Sequence, residues 1–112
     1  MNALLMVVAL LVTEPNLPTI YTPTQCAQFS RNMLNAAIAR DMGATEQEVE
    51  SGALKAMEEY LGKPNSLIQT PADIDRAMLG LHAVFTHADR TPGAIFDHFH
   101  APCLAAYKAG QS

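Results

Sequence analysis

Apolar residues recur every three or four positions in four segments of this chain, which is the spacing of one face of an α-helix. No segment alternates apolar and polar residues for long enough to predict a β-strand. The four stripes are Cys26, Phe29, Met33 and Ala37; Val49, Ala53, Met57, Tyr60 and Leu61; Ile74, Met78, Leu81 and Phe85; and Phe96, Phe99, Cys103 and Tyr107. We expect one residue of each stripe to meet in a single core, namely Phe29, Met57, Leu81 and Phe99.

Signals for the start and the end of a helix flank these stripes. Four threonines precede them as N-caps, each followed by a proline or, three positions on, by a residue that completes a capping box: Thr22, Thr45, Thr70 and Thr91. Glycines stand where helices should end, at Gly43, Gly62 and Gly110. The signals predict an all-α four-helix bundle with short loops and with helices over about 23–42, 46–61, 71–88 and 92–109.

Pro102 conflicts with the last of these helices. A proline inside a helix removes one backbone hydrogen bond and clashes with the preceding turn, at a cost of roughly 3 kcal/mol. We therefore expect the fourth helix to kink or break near Pro102, which would aim Cys103 at the first helix.

The N-terminal residues differ from the rest of the chain. The uninterrupted apolar run from Ala3 to Val12 has the length of a secretion-signal core and is shorter than the roughly 20 residues that span a bilayer. No Lys or Arg precedes it and no Ala-x-Ala site follows it, so a buried N-terminal helix is the alternative. Prolines follow the run and indicate an extended linker. We expect a signal-like segment and linker over 1–21 and one helical domain over 22–112.

Cys26 and Cys103 are the two cysteines of the chain. A disulfide between them would join the first helix to the last and, in the chain-entropy model, contribute roughly 4 kcal/mol to stability. Such a bond requires an oxidising compartment, so it agrees with export to the periplasm or the medium. Two buried free thiols in a cytosolic core are the alternative.

The charges of the chain argue against a nucleic-acid partner. Its 112 residues carry 7 Lys and Arg against 11 Asp and Glu, a net charge of −4, and the basic residues are scattered singly. Nucleic-acid binding needs a clustered cationic surface.

A candidate metal cluster consists of Asp97, His98 and His100. Residues two apart on a helix point about 200° apart around the axis, whereas metal-binding pairs favour the i, i+4 spacing. A disulfide would also remove Cys103 as a ligand. No nucleophile motif or phosphate-binding loop is present. We therefore expect no catalytic residues, no cofactor and no tightly held metal.

Several stretches follow one another along residues 26–103: Cys26-x2-Phe29, the run from Ala39 to Thr45, Thr91-Pro92 and a closing Cys103. This pattern resembles small secreted two-cysteine helical proteins of Gram-negative bacteria, most of them hypothetical proteins. The resemblance implies periplasmic residence and a structural disulfide, and it supplies no catalytic residue.

Three functions agree with these features. The first is an exported factor of the inhibitor or immunity type that binds another protein through one face of the bundle, since a rigid cross-linked bundle is a suitable binding scaffold. The second is an acid-responsive periplasmic chaperone, and the third is a metal-binding or hydrolytic protein built on Asp97, His98 and His100. The sequence leaves the partner's identity and a homodimer open.

Overall fold

The computed structural model describes residues 20–111, and in that range the chain forms four helices and no strand. The helices are α1 (Pro23–Asp41), α2 (Glu46–Tyr60), α3 (Pro71–Thr86) and α4 (Pro92–Gln111). The predicted all-α four-helix architecture is confirmed, and the helix ends lie within two residues of the predicted ones. The signal-like run from Ala3 to Val12 lies outside the described residues.

Capping boxes start the first two helices. The hydroxyl of Thr22 accepts a hydrogen bond from the N–H of Gln25 (3.2 Å), and the Gln25 side chain accepts one from the N–H of Thr22 (3.0 Å). Thr45 and Glu48 make the same pair of bonds at 3.1 Å and 2.8 Å. Because these bonds satisfy N–H groups that have no partner inside a helix, α1 and α2 begin where the sequence predicts.

α1 and α4 lie against each other and are joined by the disulfide between Cys26 and Cys103, which are 77 positions apart in the chain. Cys26 is fully buried and Cys103 is half-buried. The predicted covalent link between the first and last helices is therefore confirmed. It ties the two ends of the described domain together.

The core lies between α1, α3 and α4 and consists of Met33, Ala36, Ala37, Leu81, Val84 and Ile95. Phe29 and Phe99 pack against it with their ring centroids 5.7 Å apart, so these two residues meet Leu81 as predicted. The prediction for Met57 is wrong: α2 contributes no buried residue, and Met57 lines a cleft instead. Val49 and Ala53 of the same stripe are partly buried and pack against the core.

α4 runs without a break through Pro102 to Gln111. Of the two outcomes expected at this proline, a kink or a break, the break is therefore absent. Pro102 is exposed, as is His98, whose carbonyl oxygen would otherwise accept the missing bond.

A buried arginine connects the end of α1 to the turn between α3 and α4. The side chain of Arg40 is 7% exposed, and its Nη1 donates to the carbonyl oxygen of Val84 (2.8 Å). Its Nη2 donates to the carbonyl oxygen of Arg90 (2.6 Å), and its Nε donates to the Asp41 carboxylate (2.9 Å). Carbonyl groups in the last turn of a helix have no N–H partner within it, and Arg40 donates a hydrogen bond to one of them, that of Val84.

Candidate functional site

An apolar cleft of about 420 Å³ lies between α1, α2 and α3. Ligand sites in proteins commonly have volumes of about 300–1,000 Å³ and mostly apolar walls. Residues of α1 and α2 form its two main walls, and residues of α3 and of the loop before α3 complete it. The lining residues are Phe29, Asn32, Met33, Asn35, Ala36, Ala39, Val49, Ala53, Ala56, Met57, Leu67, Ile68, Ala77 and Leu81.

A second cavity of about 470 Å³ continues the cleft toward the start of α1. The two cavities share Asn32, Ala56, Met57, Leu67 and Ile68, so they form one groove along the α1–α2 interface. The second part is more polar, with a lining that includes Gln28, Arg31, Asn65 and Ser66. The groove is thus apolar on the side of the core and polar at its other end.

The segment between α2 and α3 closes one side of the groove, and hydrogen bonds hold it in place. The N–H of Gly62 donates to the carbonyl oxygen of Ile68 (2.8 Å), and φ at Gly62 is +76°, a conformation that favours glycine. The side chain of Gln69 donates to the carbonyl oxygens of Lys63 (2.8 Å) and Ser66 (2.9 Å). These hydrogen bonds hold the loop that contributes Leu67 to the lining of the groove.

Charged side chains of α2 lie outside the lining of the groove, where Arg31 of α1 is the charged residue. The helix carries five glutamates and one lysine. At its N-terminal end, Glu46 lies 2.8 Å from Nδ1 of His82 on α3. This hydrogen bond lowers the pKa of Glu46 and raises the pKa of His82, while the hydrogen bond between Glu50 and Glu46 raises the pKa of Glu50.

Glu46, Glu50 and His82 also form the group of possible metal ligands that the described range contains, with donor atoms within 4.8 Å of one another. None of the three is among the site residues expected from the sequence. The i, i+4 spacing of Glu46 and Glu50 is visible in the sequence, but the packing of α3 on α2 determines which histidine faces them.

The predicted metal candidates lie elsewhere, and the structure does not bring them together. Nδ1 of His98 accepts a hydrogen bond from Arg90 (2.8 Å), and His100 packs on Phe96 with a centroid distance of 4.8 Å. Asp97 is exposed. Within residues 20–111 these three side chains do not form a group of converging ligand atoms, and Cys103 is held in the disulfide.

A buried carboxylate, that of Asp73, stabilises the start of α3. Burial of Asp73 alone would raise the pKa of its carboxyl group. Hydrogen bonds from the N–H of Gln69 (2.8 Å), from Arg76 (2.7 Å) and from the N–H of Thr70 (3.0 Å) outweigh that effect and lower the pKa. These bonds give Asp73 a structural role in starting the helix.

Comparison of the chain with family models, with curated proteins and with solved structures finds no match. None of the helices in the described range is both long and apolar enough to cross a membrane. The site and its chemistry must therefore support any assignment of function.

Proposed function

We propose that this protein is an exported, non-catalytic factor that binds another protein by accepting one amphipathic helix of that partner in the groove between α1 and α2. A role as an inhibitor or an immunity-type factor, which masks the partner's surface, fits this mode of binding. The observation that carries the proposal is the mostly apolar cleft of about 420 Å³ between α1, α2 and α3.

The chemistry of the groove indicates the kind of helix that it accepts. Apolar side chains at i, i+3 or i+4 and i+7 anchor a helix in an apolar groove. Asn32 and Asn35 on α1 provide amide groups at the wall facing α2. The five glutamates and one lysine of α2 lie outside the lining, and their net negative charge favours basic residues on the solvent-facing side of the bound helix.

Rigidity of α1 and of the loop after α2 supports the same proposal. The Cys26–Cys103 bond fixes α1 against α4, and the bonds of Gln69 fix the loop that carries Leu67. These two walls of the groove lose less conformational freedom when a partner binds, and this lowers the cost of association. The disulfide also supports the proposed export to the periplasm or the medium, because such bonds persist in oxidising compartments.

Site-specific photo-cross-linking tests the proposal. A photoreactive phenylalanine analogue is placed at Asn35 on α1 or at Ala56 on α2, both of which are exposed and line the groove. Exposed Leu79 and Ala105 serve as matched control positions outside it. The protein is expressed with its N-terminal segment, and cross-linked peptides are identified by mass spectrometry.

The proposal predicts cross-links from Asn35 and Ala56 to one basic amphipathic helix of a single partner, and none from the control positions. Cross-links from Leu79 or Ala105 alone would contradict it, as would a small apolar molecule found in the groove by native mass spectrometry. Cross-links that form at pH 3 but not at pH 7 would favour the acid-responsive chaperone instead.

A further inference from the structure

Three side chains from two helices converge at the N-terminal end of α2. Glu46 and Glu50 are one turn apart on α2, and His82 faces them from α3. Oε2 of Glu46 and Nδ1 of His82 are 2.8 Å apart, and all three donor atoms lie within 4.8 Å of one another. The arrangement combines an i, i+4 pair with a third ligand from a neighbouring helix.

The spacing of these atoms suits a metal ion. Zinc bonds of about 2.0–2.2 Å in tetrahedral geometry place neighbouring ligand atoms roughly 3.3–3.5 Å apart. The 2.8 Å between Glu46 and His82 is slightly shorter than this value, and all three donor atoms lie within 4.8 Å of one another. Because His82 is exposed and the two glutamates are half-buried, small side-chain rotations can bring the three donor atoms to ligand distance.

We propose that Glu46, Glu50 and His82 form a binding site for one Zn²⁺-like transition-metal ion, with water completing the coordination. One imidazole nitrogen and two carboxylate oxygens suit Zn²⁺, whereas Ca²⁺ and Mg²⁺ prefer oxygen ligands alone. Open positions filled by water make this an exchangeable site. It is distinct from the cluster of Asp97, His98 and His100.

The ion bridges α2 and α3 at one end of the groove. α2 contributes no buried residue, so apolar packing holds it less firmly than the other helices. Two neighbours of the ligands in the sequence line the groove: Val49, between Glu46 and Glu50, and Leu81, directly before His82. Metal binding therefore holds the α2 wall at a set distance from α3, whether or not the groove binds a protein.

Calorimetric titration of the full, disulfide-bonded chain with ZnCl₂ tests the proposal. The protein is purified without an affinity tag and treated with a chelator. We expect one ion per chain, a raised melting temperature and, in ¹H–¹⁵N spectra of the histidine rings, a shift of Nδ1 of His82. Titration with CaCl₂ or MgCl₂ should give no saturable binding.

Variants identify the ligands. His82→Gln, Glu46→Gln and Glu50→Gln should each weaken Zn²⁺ binding at least about ten-fold, because even an outer-sphere substitution commonly costs 10- to 100-fold. Glu58→Gln on the exposed part of α2 and His98→Gln on α4 are the matched controls and should bind as the wild type does.

Loss of binding in His98→Gln with retention in His82→Gln would overturn the proposal, and so would the absence of saturable binding. If a ligand variant unfolds, the ¹H–¹⁵N spectrum of the wild-type histidine rings identifies the histidine that binds Zn²⁺. A Zn²⁺-dependent shift at a histidine other than His82, with His82 unchanged, would also contradict the assignment.

Discussion

Nη2 of Arg40, at the end of α1, donates a hydrogen bond to the carbonyl oxygen of Arg90, 50 positions later in the chain, over 2.6 Å. With the bond from Nη1 to Val84, it fixes the turn that leads from α3 into α4. The position of this turn determines where α4 begins and so places Ile95 in the core, where its side chain is 1% exposed. One polar side chain thus helps to set the packing of three helices.

Arg40→Ala should lower the free energy of unfolding by about 2–4 kcal/mol, because it leaves buried carbonyl groups without donors. Arg40→Lys should recover only part of this loss, since an ammonium group lacks the planar fork of a guanidinium. Urea unfolding measures both. Arg31→Ala, at an exposed position of the same helix, is the control and should change stability by less than about 0.5 kcal/mol. Equal effects at the two positions would contradict the role of Arg40.

The bond that joins α1 to α4 predicts that Cys26 and Cys103 are oxidised in protein recovered from the periplasm, the proposed compartment. Mass spectrometry of non-reduced peptides from periplasmic material should recover the linked pair, and the same experiment defines the N-terminal residue of the mature protein. Replacing both cysteines by alanine should cost roughly 4 kcal/mol in the chain-entropy model. Free thiols at both positions in that material would contradict the compartment as well as the bond.

The stabilising effect of Asp73 should depend on pH. Its pKa in the folded protein lies below the ordinary value of 3.8, so its contribution is present above that value and is lost as pH falls through the folded pKa. The difference in unfolding free energy between the wild type and Asp73→Asn should therefore shrink in acid. Exposed Asp75→Asn, two positions later, serves as the control. A difference that stays constant from pH 7 to pH 2 would show that the charge of Asp73 is not involved.

Two helical glycines should respond differently to alanine. A Cβ atom at Gly52 on α2 would meet nothing within 4 Å, so Gly52→Ala should raise stability by about 0.5–1 kcal/mol through helix propensity. A Cβ atom at Gly80 on α3 would lie 3.0 Å from Sδ of Met33 and 3.4 Å from Cζ of Phe29. Gly80→Ala should therefore give no such gain. Thermal unfolding compares the two variants, and an equal gain in both would mean that α3 is not packed closely on α1.

Local chemistry explains why the helices could be predicted from the sequence. The capping of Thr22 by Gln25 and of Thr45 by Glu48 involves residues three positions apart, and both pairs are present in the structure. The predicted apolar stripe of the fourth helix is less accurate. It includes Phe96, which is half-buried, and omits Ile95, which is buried. Adjacent apolar residues make the exact face ambiguous.

The groove and the Glu46–His82 contact depend on how helices far apart in the chain pack, and no local pattern encodes this. Val49, Ala53 and Met57 repeat every four residues as a core stripe does. Val49 and Ala53 are partly buried against the core, yet all three residues line the groove. The sequence pattern identifies an apolar face. It does not show whether another helix covers that face completely.

The most direct test of the protein-binding function is the dissociation constant of the cross-linked partner, measured by calorimetry for the wild type and two variants. Ala56→Trp fills the groove from an exposed position of α2, and Ala105→Trp makes the same change at an exposed position of α4. We predict binding at least about ten-fold weaker for Ala56→Trp, equivalent to about 1.4 kcal/mol, and unchanged for Ala105→Trp. Equal affinity of Ala56→Trp and the wild type would contradict binding in the groove.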